Sequence, residues 1–180
     1  MSADTAFDVS SATVQAPTIS FEFFPPKDPE GEQKLWQTID ELQEFKPDFV
    51  SMTYGAGGGT RDRTVRIAAE FIAKTGVPVI GHLTCVGSTK IELSKVLEQY
   101  KKAGIESILA LRGDPPGGPR SNWQPIPGGL DHADQLVELA ILSGGLKVGV
   151  AAFPDGHPSS NFDLETRLSH RKVLILVKRF

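Results

Sequence analysis

Ile19-Ser20-Phe21-Glu22-Phe23-Phe24-Pro25-Pro26-Lys27 opens the regular part of the chain as a strand that two prolines stop at once. Side chains of an extended segment alternate between faces, so Phe21 and Phe23 share one side while Ser20, Glu22 and Phe24 share the other. Glu22 is thus one carboxylate among three aromatic rings. Two readings stay open for it: the wet side of an edge strand, or a carboxyl retained for chemistry. The turn that follows is informative too. An open dinucleotide-binding sheet places G-x-G-x-x-G after its first strand, whereas here the chain reads Phe24-Pro25-Pro26-Lys27.

Outward from this strand the same unit repeats. Glu30 to Phe45 carries Leu35, Ile39 and Leu42 at helical spacing, and Asp48 to Tyr54 is a second strand. Arg61 to Lys74 follows as a helix with Val65, Ala68, Ala69 and Ile72 on one face, N-capped by Thr60 and stopped by Gly76. Pro78 to Cys85 pairs with Lys90 to Lys102, whose apolar side is Ile91, Val96, Leu97 and Tyr100 and whose end is Gly104. Ile105 to Leu111 pairs with Asp131 to Ser143; Leu146 to Phe153 is a fifth strand and Asp163 to Lys172 a candidate fifth helix. Strand starts recur about every 30 residues, the rhythm of parallel strands joined by crossover helices. Only the Gly/Pro-rich stretch from Gly113 to Gly129 lengthens a connection. The polar and charged residues Glu22, Thr53-Tyr54, His82, Arg112-Gly113-Asp114 and His157 fall at C-terminal strand ends, the habit of the (β/α)8 barrel. The expected class is therefore α/β, of the (β/α)8 TIM-barrel type.

Composition narrows the function classes. With 180 residues, 39% hydrophobic and 23% charged, the chain can bury one ordinary globular core. A net charge of −3 and no dense Lys/Arg cluster leave no footprint for nucleic acid or an anionic membrane. The single cysteine, Cys85, excludes an intrachain disulfide and reads as a small buried hydrophobe; no spaced Cys/His set points to a metal. Met1 to Ala16 has no basic segment followed by an apolar core, and no run is long enough to span a bilayer. The expectation is a cytoplasmic protein with a disordered segment over 1–16 and one domain over 17–180.

Two stretches could carry chemistry beside Glu22. Gly55-Ala56-Gly57-Gly58-Gly59-Thr60 leads a strand into a helix, where backbone N–H groups can approach a phosphate. It lacks the Gly-Lys-Ser/Thr ending of a P-loop, and a plain flexible connector would read the same way. Leu109-Ala110-Leu111-Arg112-Gly113-Asp114-Pro115-Pro116 ends an apolar strand in a cation, a glycine and a carboxylate. Arg112 offers a donor fork for pyrophosphate and Asp114 could tune a bound heterocycle; an internal Arg112–Asp114 ion pair is the plainer alternative. His82 and His157, each after an apolar run, bias the strand-end face toward a polar aromatic ligand, although either alone could be structural.

The blocks Ser20 to Lys27, Phe49-Val50-Ser51-Met52-Thr53-Tyr54-Gly55-Ala56, Gly81-His82-Leu83-Thr84-Cys85 and Leu109 to Asp114 resemble the signature segments of the methylenetetrahydrofolate reductase family. Val150-Ala151-Ala152-Phe153-Pro154 with His157-Pro158 supplies a fifth, in the right order, and the resemblance runs from Thr18 to about Lys172. It implies a TIM-barrel flavoprotein oxidoreductase that holds FAD non-covalently and uses NADH or NADPH to reduce 5,10-methylenetetrahydrofolate to 5-methyltetrahydrofolate, in one-carbon metabolism and methionine synthesis. By motif position, Glu22 is implied as the general acid that protonates the folate nitrogen as its five-membered ring opens. A carboxyl beside phenyl rings and away from water would tend toward a raised pKa, which suits that role. Asp114 is implied as a second catalytic residue that touches both flavin and folate. Thr53 would serve the nicotinamide, and Tyr54, Ala56, His82, Arg112, Gly113 and Ala133 would line the FAD site. Phe153 stands where a Tyr is common; His157, Glu165, Arg171 and Lys172 match a later flavin-contact block if one residue is skipped after His157.

The resemblance stops after Lys172. The family pattern continues with an Asp/Ala/Gly-rich turn and a sixth strand bearing a substrate-binding Gln, whereas this chain reads Val173-Leu174-Ile175-Leu176-Val177-Lys178-Arg179-Phe180. That tail reads as a truncation or a shifted frame in preference to a sixth strand. The expectation is an incomplete barrel of the first five or so βα units, with two open edges, an uncovered apolar interior and a homo-oligomeric state if folded. A catalytically inactive remnant that at most binds flavin or a nucleotide is the alternative to an active reductase.

Overall fold

The computed structural model describes residues 18–54, 58–118, 121–152 and 174–177. Among these residues six parallel strands form one sheet: β1 (Ser20–Phe23), β2 (Phe49–Met52), β3 (Val79–Thr84), β4 (Ser107–Leu111), β5 (Lys147–Ala152) and β6 (Leu174–Val177). Among the described residues four helices lie between them, α1 (Pro29–Leu42), α2 (Gly58–Thr75), α3 (Lys90–Lys102) and α4 (Ala133–Ser143), and a 3-10 turn over Gln43–Phe45 extends α1. Strand order in space is the order in sequence. A doubly wound sheet would reverse its order at a switch point and carry helices on both faces.

Here the described helices cover one side of the sheet. Ile39 of α1, Ile67, Ala68 and Phe71 of α2, Leu93, Val96, Leu97 and Tyr100 of α3, and Leu136 and Ala140 of α4 all join one core with Phe23, Val50, Met52, Val79, Leu83, Ile108 and Ala110 of the strands. The opposite, inner face is defined by register. Glu22 pairs with Ser51, Ser51 with Ile80, Ile80 with Ser107, and His82 with Leu109. Paired residues share a face, so these side chains line the concave side that a (β/α)8 barrel encloses. Ile80 and Leu109 are buried there, so the middle of the inner face is not left bare as the sequence suggested.

Local chemistry explains the starts of α1 and α3. Asp28 caps α1, its carboxylate accepting from Gly31 N at 2.7 Å, with Pro29 in the first helical position. Thr89 and Glu92 close a reciprocal capping box on α3. Several expectations are corrected. Helix α2 begins at Gly58, so Thr60 lies inside it and does not cap it. Its buried stripe is Thr64, Ile67, Ala68 and Phe71, one position away from the face read from periodicity, because Phe71 is drawn to Phe23 (ring centroids 6.1 Å apart). On α3, Ile91 is exposed and Leu93 takes the core position. The tail is corrected as well: Leu174–Val177 pairs with β5, Gly149 opposite Leu174 and Ala152 opposite Val177, and is a sixth strand. The segment 1–16 and the candidate helix over 163–172 lie outside the described residues.

Candidate functional site

The site is built on the inner face toward the C-terminal strand ends. Phe21 and Phe23 turn to the helices, as alternation requires, and leave Glu22 on the other side. Its Oε2 accepts from Ser51 Oγ at 3.4 Å and lies 3.5 Å from His82 Nε2. Ser51 and His82 are buried, 4% and 3% exposed, whereas 31% of the Glu22 side chain meets solvent. The expected setting of a carboxyl among phenyl rings is thus overturned: its neighbours are a hydroxyl and an imidazole, and Phe24 points into solvent. Ser51 sits inside one of the blocks quoted above but carried no role there; its register opposite Glu22 is the signal that could have found it.

His82 is held by its backbone. The buried Tyr100 hydroxyl of α3 donates to the His82 carbonyl at 2.7 Å, and the ring can lie that close to β3 only because residue 81 is glycine. A Cβ at Gly81 would stand 2.5 Å from Tyr100 Cε2.

The end of β4 supplies the second part. Pairing with β3 continues past the strands, Cys85 N donating to Leu111 O and Val86 N to Arg112 O, each at 3.0 Å. Gly113 then turns with φ +80°, in a space where a Cβ would meet Val86 Cγ1 at 2.7 Å. Arg112 Nε donates to the Gly113 carbonyl at 3.3 Å, and its guanidinium lies 4.9 Å from the Trp123 ring centroid. Among the described residues it forms no ion pair, with Asp114 or any other carboxylate, so the plainer alternative for this motif does not hold. Asp114 is exposed. Thr84 Oγ1, across from Leu111, is buried with no hydrogen-bond partner among the described residues. A guanidinium without a counter-charge and an unsatisfied buried hydroxyl on neighbouring strand ends fit an anionic, polar ligand such as a dinucleotide.

The remaining candidates are scattered or undescribed. Thr53 N donates to Phe23 O at 3.0 Å, and Tyr54 packs against the core on the helix side. Ala133 opens α4. Ala56, Phe153, His157, Glu165, Arg171 and Lys172 lie outside the described residues. Cys85 is buried just beyond β3; burial first, and the Asp134 carboxylate second, push its thiol up to about 12. Among the described residues, no helix is long and apolar enough to cross a membrane.

The family model of methylenetetrahydrofolate reductase matches residues 9–175. The chain belongs to the methylenetetrahydrofolate reductase family. It is 42% identical to the 5,10-methylenetetrahydrofolate reductase of Escherichia coli strain K12 over 157 residues, 86% of this chain and 50% of that protein. To methylenetetrahydrofolate reductase (NADH) 1 of Arabidopsis thaliana it is 38% identical over 153 residues, 83% of this chain and 26% of that one. The chain spans about half the length of the bacterial relatives it matches. Among solved structures it resembles dihydrodipicolinate synthases from Agrobacterium tumefaciens (TM-score 0.58, 14% identity, 89% of this chain and 53% of that one) and Bacillus anthracis (TM-score 0.56, 16% identity, 89% and 54%). Those likenesses carry the barrel fold alone. Family membership and fold together make the six-stranded sheet of this reductase-family chain an incomplete (β/α)8 barrel.

Proposed function

We propose that this chain forms the part of a flavin-dependent folate reductase that carries the proton donor and one wall of the cofactor site, for the reduction of 5,10-methylenetetrahydrofolate to 5-methyltetrahydrofolate. The observation that carries this reading is the meeting of Glu22, Ser51 and His82 on the inner face of a chain of this family. Glu22 holds the proton that the folate nitrogen takes as the five-membered ring opens. Ser51, by donating to Oε2, leaves the other carboxyl oxygen to face the substrate. That is the geometry asked of a general acid: a carboxyl fixed by neighbours and reachable from solvent.

FAD fits the donor set described above, and when bound it supplies the hydride relay from NADH or NADPH to the folate. The Arg112 fork and the Gly113 turn would take its pyrophosphate, with Thr53, Tyr54, His82 and Ala133 around them; Asp114, exposed beyond β4, would orient the folate pterin. The implied setting is one-carbon metabolism and methionine synthesis, in the cytoplasm.

The test separates binding from chemistry. Visible absorption of the purified chain after FAD addition, recorded before and after anaerobic NADH, should show a flavin band that bleaches. In Glu22→Gln the bleaching should persist while oxidation of the reduced flavin by the folate is abolished. Folate turnover at the unaltered rate in that variant would sink the assignment. A soluble chain that stays colourless would instead support the inactive-remnant reading.

A further inference from the structure

The stretch between β4 and α4 takes no part in the proton chemistry proposed above, yet it brings Trp123 onto Arg112. The indole is fixed independently of the arginine. Its Nε1–H donates to Asp131 Oδ1 at 3.1 Å, and Asp131 N in turn donates to Gln135 Oε1 at 2.6 Å in the first turn of α4. The far side of the loop is tied to α3, where Lys90 N donates to Gly128 O at 2.8 Å and Thr89 bridges Gly129. The ring therefore stands on a frame, and the guanidinium lies against it.

Arg112 is consequently constrained at two places. Its Nε is engaged by the Gly113 carbonyl and its cation by the Trp123 ring, and no carboxylate among the described residues neutralises it. A guanidinium so held keeps its terminal N–H groups for an outside anion. An arginine side chain has many rotamers to lose when it captures a ligand, and fixing it beforehand lowers that cost. Tryptophan is the strongest of the aromatic partners for a cation.

We propose that Trp123 is a positioning residue that holds the Arg112 fork toward the pyrophosphate of a bound dinucleotide. The inference rests on the flavin reading given above and adds to it a residue from a stretch outside the blocks that resemble the reductase family. It also makes Trp123 a reporter, since the chain has only one other tryptophan, Trp36.

The experiment is an FAD titration of the full chain by flavin fluorescence, with circular dichroism confirming that each variant is folded. The variants are Arg112→Ala, Trp123→Ala, Trp123→Phe and the Arg112→Ala/Trp123→Ala double. Arg112→Ala should weaken FAD roughly tenfold or more, the scale of lost charged hydrogen bonds. Trp123→Ala should weaken it roughly two- to fivefold, the scale of a cation–π contact at a half-exposed site. Trp123→Phe, which keeps a ring face but loses the bond to Asp131, should fall between the parent and Trp123→Ala. In the Arg112→Ala background, Trp123→Ala should add nothing, and in a Trp36→Phe background the emission of Trp123 should change on FAD addition. If Arg112→Ala weakens binding and Trp123→Ala does not, Trp123 has no such role while the flavin reading stands. An equal loss with and without Arg112 would mean that the indole touches the cofactor itself and would overturn the positioning role. A wild-type chain that takes no FAD would overturn both readings together.

Discussion

Replacing Gly81 by alanine tests the coupling between α3 and the strand that carries His82. The new Cβ would stand 2.5 Å from Tyr100 Cε2 and 3.1 Å from Cδ2 and Cζ, and the ring is fully buried, so it cannot swing into solvent. Relief requires α3 to move off β3 or the ring to leave its rotamer. Overpacking of this kind costs about 1–3 kcal/mol. The displaced hydroxyl also gives up its 2.7 Å bond to the His82 carbonyl, and a net hydrogen bond is worth about 0.5–1.5 kcal/mol. Together the loss is about 1.5–4.5 kcal/mol, which for a chain of this size lowers the melting temperature by about 3–18 °C. Urea unfolding followed by circular dichroism gives the first figure and a thermal melt the second. Tyr100→Phe is the control: it removes the bond without the clash and should lose less than Gly81→Ala. An alanine variant as stable as the parent, or a Tyr100→Phe variant that loses more, would refute the packing argument.

The strand end of β4 and the buried thiol give two further expectations. Gly113→Ala must adopt φ +80° and push against Val86 and Thr84, so it should cost about 1–3 kcal/mol and weaken FAD beyond what stability explains; unchanged FAD affinity would argue against a cofactor at this turn. The native Cys85 thiol, with its pKa raised from 9.0 to about 12, should resist thiol reagents at pH 8 and react once the chain is unfolded. Because the folded value is the higher one, its stabilising effect is complete below about pH 9 and is lost as pH rises toward 12. The fall in urea midpoint over that range should be shallower in Cys85→Ala, and equal slopes would contradict the assignment.

The parts of the fold that were legible in the sequence are those set by local signals. Lys90 to Lys102, read from its helical spacing with Gly104 as the stop, matches the observed bounds of α3, and alternation correctly divides Phe21 and Phe23 from Glu22. What failed depends on distant partners. The face of α2 is decided by Phe23 across the core, and no window within the helix contains that residue. Phe21 and Phe23 are adjacent to Glu22 in sequence but opposite in space, and Phe24 is exposed, so proximity along the chain suggested an apolar setting that the fold does not provide. Ser51 and Trp123 show the same limit. Each acquires its significance from a residue on another element, Glu22 by strand register and Arg112 by the return of a loop. The four-residue strand Leu174–Val177 is too short for periodicity to separate from any apolar run, and its partner β5 defines it.

The sequential strand order bears on how the sheet is assembled. Each strand pairs with the one made just before it, and none is inserted between earlier strands. A chain leaving the ribosome can therefore add strands one at a time, each crossover helix closing over the two strands it joins before the next emerges. At every stage the growing sheet presents its newest strand as the edge to be paired. Glu22, Ser51 and His82 lie on the first three strands, so their meeting requires none of the later ones: the corner proposed as the proton donor can form while the β4 turn that would hold the dinucleotide is still being synthesised.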